Sequence, residues 1–168
     1  PYEAGDLLRQ PDLADSLTRI AEAGPDGFYK GRTAELIVAE MAANGGLITL
    51  EDLAGYTARK REPIVGTYRG YEVLSMPPPS SGGTALIAML NILEGYPLGE
   101  LGFGTTATLH RMTEAMRRAY ADRARFLGDP DFNRDLPIER LTSKAYAAEL
   151  RDSIDPARAS TSHPGEFS

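Results

Sequence analysis

No cysteine and no tryptophan occurs among the 168 residues, and histidine occurs only twice. Without cysteine there is no disulfide, no thiolate nucleophile and no Cys-zinc site. The same absence fits an oxidising or a reducing compartment. The two histidines, His110 and His163, have no second ligand at metal-binding spacing. No apolar run approaches the roughly 20 residues a membrane-spanning helix needs, and no signal-peptide pattern is present. Basic residues are outnumbered: Lys+Arg total 18 against 24 Asp+Glu, for a net charge of −6. That balance argues against a nucleic-acid partner. The chain opens on Pro1 rather than Met, as a processed or trimmed piece would.

What is there is organised around Met76–Gly83, MPPPSSGG. Three prolines in succession lock φ and favour an extended rod. Ser80 and Ser81 offer hydroxyls to the first free amides of a helix, and Gly82 and Gly83 leave its first turn bare. The helix that follows carries Leu86, Met89, Leu90 and Leu93 at helical spacing, with Gly95 as its stop. The stretch lacks the Gly-Lys-Ser/Thr ending of a phosphate loop. A rigid connector with an N-cap is the plain reading, and the wall of an active-site cleft formed with a partner segment is the sharper one.

The length fits one segment, 1–168, with 158–168 a mobile tail. An irregular lead-in ends at Pro11, which opens a helix with Leu13, Leu17, Ile20 and Ala21 on one face. Gly24 to Gly27 is a turn by composition. A second helix, about 33–43, carries Ala34, Ile37, Val38 and Met41, and Thr49 with Asp52 matches a capping box. Then the period changes. Residues 63–68 and 71–75 are β-rich, and Arg69-Gly70 between them is a two-residue hairpin turn. The longest helix spans about 106–127, with Leu109, Met112, Met116, Ala119, Tyr120 and Leu127 as its expected buried stripe. A last helix lies near 143–153. The fold class read from this pattern is mostly α with one β-hairpin.

Arg123 falls within the expected apolar stripe of the long helix. It therefore needs a carboxylate, with Asp129 and Asp131 nearest, or must snorkel, and a paired, at least half-buried guanidinium is expected. Arg111, Arg118 and Arg125 share the opposite face with Glu114 and Asp122, which reads as a solvated, salt-bridged surface. Asp129, Asp131 and Asp135 lack the order and closing Glu of a calcium loop. Ser80 and Ser81 have no histidine near them in sequence, so no Ser-His-Asp triad assembles.

MPPPSSGG, LNILEGYPLGELGFG and EAMRRAYADRARFLGDPDF, preceded by GPDGFYKGRTAELIVAEMAANGGLITLEDLAGY, resemble the γ-glutamyltransferase (glutathione hydrolase) family. The likeness runs from about Asp12 to Ala159 and matches the C-terminal half of that family's large subunit. The resemblance implies an α/β/β/α N-terminal-nucleophile sandwich. It implies a proenzyme that cuts itself, so that a new N-terminal Thr attacks γ-glutamyl amides with its own amine as base. It implies as partners a small subunit, the rest of the large subunit and small γ-glutamyl substrates, a periplasmic or secreted parent, and no cofactor. Thr161-Ser162-His163 is the nearest look-alike of the cleavage site, but Pro164-Gly165 follows and no strand does, so Thr161 is expected in the large subunit's tail. No catalytic, substrate-binding or metal residue carries over. The alternative is a free-standing helical interaction module. A detached large-subunit segment would leave part of its apolar helix faces exposed, or hide them by self-association.

Overall fold

The computed structural model describes residues 2–161. They form a mostly helical chain with one antiparallel hairpin, and the chain divides into two compact units, Pro1–Lys60 and Arg61–Ser168.

The first unit holds α1 (Pro11–Ala23), α2 (Asp26–Tyr29), α3 (Gly31–Asn44) and α4 (Leu50–Gly55). Proline at N1 starts α1 because its missing N–H would go unpaired there in any case. Gly45, at φ 71°, ends α3 in the left-handed conformation. At the α1–α2 crossing a Cβ on Gly27 would lie 2.1 Å from the carbonyl oxygen of Arg19, so only glycine fits. Thr33 ties the crossing together: its hydroxyl donates to the Gly27 carbonyl at 2.8 Å and accepts from Arg19 Nε at 2.9 Å. The capping box of α4 is present as the spacing predicts, with Thr49 Oγ1 accepting from the Asp52 amide and Asp52 Oδ2 from the Thr49 amide. Of the expected α1 face, Leu13 and Leu17 are exposed.

The second unit begins with β1 (Ile64–Tyr68) and β2 (Tyr71–Ser75), in register from Ile64↔Ser75 to Tyr68↔Tyr71. Arg69 and Gly70 turn the chain with φ of 49° and 87°. Two positive φ values in a two-residue loop are those of a type I′ turn, whose twist matches the strands. Five helices follow: α5 (Gly82–Glu94), α6 (Leu98–Leu101), α7 (Thr106–Phe126), α8 (Ile138–Leu141) and α9 (Lys144–Asp152). The short α6 and α8 were not expected from the sequence pattern. The core is Ile92, Ala115, Ala147 and Ile154, with Leu93, Tyr96 and Leu150 packed around it. Ile87 of α5 presses on the hairpin at Gly66, where an added Cβ would come within 2.8 Å of its Cγ2.

Two expected stripes are corrected by this packing. On α7, Leu109, Met112, Met116 and Tyr120 are 41–53% exposed, and of that set only Ala119 is buried. Of the face expected to be solvated, Glu114, Arg118 and Asp122 lie inside at 1%, 6% and 4% exposed, while Arg111 is half-buried and Arg125 is exposed as expected. On α5, Leu86 is exposed and Met89, Leu90 and Leu93 are half-buried, whereas Ala85, Ile87, Ala88, Asn91 and Ile92 are buried. Periodicity identifies which residues share a face but not which face turns inward. Here α5 lies against α7, with Ala85, Ala88 and Ala119 lining one small pocket and Ala115 clustered with Ile92. The charges beside them are buried because each finds a partner.

Gly83 provides a test of the close approach between α5 and the segment that leads into it. A Cβ there would stand 2.2 Å from the Met76 carbonyl oxygen and 2.6 Å from Ile64 Cγ2, while at Gly82 the nearest atom is Ser80 Oγ at 3.4 Å. Gly83→Ala is expected to cost about 1–3 kcal/mol as overpacking, and Gly82→Ala to be neutral or to stabilise by up to about 1 kcal/mol. Urea midpoints of the two variants check this, and equal midpoints would contradict the packing described.

Candidate functional site

The residues with chemical potential lie at the head of α5 and along the inner face of α7. Ser81 stands at the N-cap of α5, but its backbone is already helical (φ −80°, ψ −10°) and its hydroxyl makes no capping bond. A capping side chain needs extended backbone to fold back onto the N2 and N3 amides. Its Oγ instead accepts from Arg123 Nε at 2.7 Å. Ser80 Oγ accepts from the Gly82 amide at 3.3 Å, two residues on, which is a local turn. The expected N2/N3 cap is thus corrected. Ser81 links α5 to the far end of α7.

Arg123 is exposed, with the Ser81 hydroxyl and the Tyr120 ring, 5.9 Å from its guanidinium carbon, as its neighbours. The expected buried ion pair is not made. Asp131 pairs with Arg61 at 2.8 Å, and Asp129 Oδ1 accepts the Asp131 amide, which makes this loop a turn. Among the described residues no group of three His, Cys, Asp or Glu is placed to hold a metal ion. Pro77 and Pro78 line an open cleft of about 420 Å³ together with Arg61, Pro130, Arg134 and Leu136.

The strongest polar arrangement is a clasp on the inner face of α7. Glu114 Oε2 accepts from Arg118 NH1 at 2.7 Å and from the Ser160 hydroxyl, while Oε1 accepts the Ser160 amide at 3.1 Å. Arg118 also donates to the carbonyls of Leu150 and Ser153 and to Ser153 Oγ. Arg117 NH1 donates to the Ser160 carbonyl at 3.2 Å. Burial alone would raise the Glu114 carboxyl, but the Ser160 hydroxyl, the Arg118 guanidinium and the Ser160 amide outweigh it and hold the group at about 2. One turn further on, the Tyr146 hydroxyl donates to Asp122 Oδ2 at 2.8 Å. Burial, and then this bond to a carboxylate, push the phenol well above its ordinary value.

None of these pairs is set up for nucleophilic catalysis. Ser81 faces a guanidinium, which cannot take its proton. Ser160 faces a carboxylate too acidic to act as base at neutral pH. His110 Nε2 lies 2.7 Å from the Asp155 carbonyl oxygen; a carbonyl only accepts, so Nε2 carries the proton there. Thr161 is exposed, and its nitrogen is in a peptide bond. His163 lies outside the described residues. Sequence reasoning missed the burial of Glu114, Arg118 and Asp122 and the attachment of the half-buried Ser160 to them. The available signal was the spacing Glu114, Arg118, Asp122, a single line on the helix flanked by Ala115 and Ala119.

The described residues, a helical body carrying one hairpin, match a solved structure closely. Over 95% of its length the chain superposes on the crystal structure of Helicobacter pylori γ-glutamyltranspeptidase with a TM-score of 0.83 and 50% identity, covering 45% of that chain. This places it within the N-terminal-nucleophile hydrolase fold. The family model described as Gamma-glutamyltranspeptidase matches residues 1–167, and the chain belongs to that family. It is 53% identical over 170 residues to the glutathione hydrolase proenzyme of Escherichia coli K12, covering 99% of this chain and 29% of that protein. It is 50% identical over 159 residues to the acylase ACY 1 proenzyme of Pseudomonas sp. strain SE83, covering 95% of this chain and 28% of that protein. The chain thus spans less than a third of the length of these curated relatives.

The clasp makes stability depend on acid. The folded-state pKa of Glu114, about 2, lies below its ordinary value of 4.5. The contribution is therefore complete above about pH 4.5 and is lost as pH falls toward 2, for a total of about 3 kcal/mol. Unfolding measured between pH 6 and pH 2 is expected to lose that amount, with a smaller loss in Glu114→Gln. Glu114→Ala, which strands the buried Arg118, is expected to cost about 3–5 kcal/mol at pH 7. A Glu114→Gln chain with an unchanged acid profile would show that the clasp does not carry the effect.

Proposed function

We propose that this chain is the helical scaffold segment of a self-cleaving γ-glutamyl-transferring enzyme, with the nucleophile supplied from outside these residues. The observation that carries the reading is the inside-out α7. Its charged face is buried and held, while Leu109, Met112, Met116 and Tyr120 form one exposed apolar face. A face of that kind needs cover, and a scaffold that lies over the rest of a larger enzyme provides a reason for it. The family membership, and relatives named as proenzymes more than three times as long, support the same assignment. In this reading the catalytic Thr uses its freed α-amine as base to attack the γ-glutamyl carbonyl, and water or an amino acid resolves the acyl-enzyme. A free-standing module would have to leave the α7 face bare.

The acylase relative favours a second reading of the substrate, in which the same scaffold serves a related enzyme that cleaves another acyl amide. The test is release of a chromogenic amine from a γ-glutamyl anilide, with a simple acyl anilide in parallel. The full-length protein carrying this segment is expected to turn over one of them after self-cleavage, and the 168-residue chain neither. Turnover by the chain alone, above a denatured control and lost in Thr161→Ala, would overturn the scaffold assignment.

A further inference from the structure

A cleft of about 310 Å³ opens where α5 ends beside α7 and α9. Tyr96, Arg111, Arg151, Asp152, Ile154 and Pro156 line it together with Gly95. Small-molecule sites begin at roughly this size, about 300 Å³. Both arginines are held by something other than a carboxylate. Arg111 NH1 donates to the Ala107 carbonyl at 2.9 Å, and its guanidinium carbon stands 5.2 Å from the centre of the Tyr96 ring. Arg151 packs on the bare backbone of Gly95, where an added Cβ would come within 2.2 Å of NH1 and 2.4 Å of Cζ. The Tyr96 hydroxyl donates to the Arg151 carbonyl at 3.4 Å, which joins the end of α5 to α9.

Arg111 and Arg151 are half-buried, yet among the described residues neither has a carboxylate within ion-pair distance. Arg118, the buried guanidinium of α7, has Glu114. Drawing a guanidinium partly out of water costs free energy that an anion normally offsets. Asp152, the acidic residue of the cleft, is exposed and also lacks an ion-pair partner among the described residues. The same charges reach the ring between them: burial raises the Tyr96 phenol, Arg111, Arg151 and Arg118 oppose the rise, and Asp152 adds to it. Two cations and one anion thus surround an aromatic face. That is the reverse of the charges on a small molecule with two carboxylates and one ammonium.

We propose that this cleft binds a free acidic amino acid, with one carboxylate on Arg111, the other on Arg151 and the ammonium on Asp152. A guanidinium takes a carboxylate through two parallel N–H···O bonds, which fix direction as well as strength. Arg111 uses NH1 on the Ala107 carbonyl and keeps Nε and NH2, the two donors of such a fork. The methylenes between the carboxylates lie against the Tyr96 ring. Glutamate is the acid of this class that the enzyme reading above supplies, since water releases it from a γ-glutamyl acyl-enzyme. The choice of glutamate rests on that reading; the charge pattern of the cleft does not.

Arginine modification by phenylglyoxal, read residue by residue in peptide mass spectra of the full-length protein, tests this. L-Glutamate is expected to slow modification of Arg111 and Arg151 in a saturable way, by about fivefold at four times its Kd, the factor 1 + [L]/Kd. Arg125, exposed on the same helix, is expected to react at an unchanged rate. Glutarate, which lacks the amine, and inorganic phosphate are expected to need at least about tenfold higher concentrations, the worth of one charge-assisted hydrogen bond. Asp152→Ala is expected to remove the preference for glutamate over glutarate. No protection by glutamate, or protection by phosphate at the same concentrations, would overturn the proposal. So would a preference that survives Asp152→Ala. Arginines that resist the reagent before any ligand is added would overturn it too, because other polypeptide would then fill the cleft. Anilide turnover on the same preparation separates the two readings. An active enzyme with unprotected Arg111 and Arg151 discards the acidic-amino-acid site alone, and an inactive one with protected arginines discards the enzyme reading alone.

Discussion

The second unit depends on one buried carboxylate. Glu114 sits on the inner face of α7, and its two oxygens accept from both Arg118 and Ser160, which Arg118 NH1 also reaches directly. Arg118 in turn satisfies the last carbonyls of α9 at Leu150 and Ser153, groups a helix end leaves without partners. A single ion pair therefore closes the C-terminus of one helix, fixes the side of another and holds the strand of chain that passes both. Removing the pair as a whole would be gentler than removing half of it, since what costs most is a buried charge left alone.

That arrangement also explains the orientation of α7. Between an apolar and a charged stripe, burial of the apolar one is the default. The default reverses here because small alanines flank the charges, and because Arg118 and Glu114 pair with each other and with groups of Leu150, Ser153 and Ser160. The outer stripe is then left facing away from the unit.

Local features were legible in the sequence, and orientation was not. The hairpin with its Arg69-Gly70 turn, the Thr49–Asp52 capping box and the ends of the long helices follow from chemistry within a few residues of each other. The inward face of α7, the partner of Ser81 and the attachment of Ser160 depend on residues 42 to 46 positions apart, and spacing along one helix carries no record of them. Arg123 illustrates the difference. Its place among apolar residues was read correctly, but that stripe lies outside, so the guanidinium had no need of a carboxylate. The resemblance to γ-glutamyltransferases was legible because several motifs occur in one order, and it names the family without orienting a single helix.

The alanine seam between α5 and α7 has a mechanical consequence. Alanine has no side-chain rotamers to populate, so the buried Ala85, Ala88, Ala115 and Ala119 on these two helices cannot soften their packing by rotamer exchange as leucine or methionine does. Tightly packed interiors of this kind are hard to compress and transmit strain. The two helices will therefore respond to load as one stiff beam, with compliance confined to the long side chains on its outer surface. A push on Met112 or Met116 is absorbed locally by their own torsions, whereas a push on the backbone of α7 displaces α5 with it.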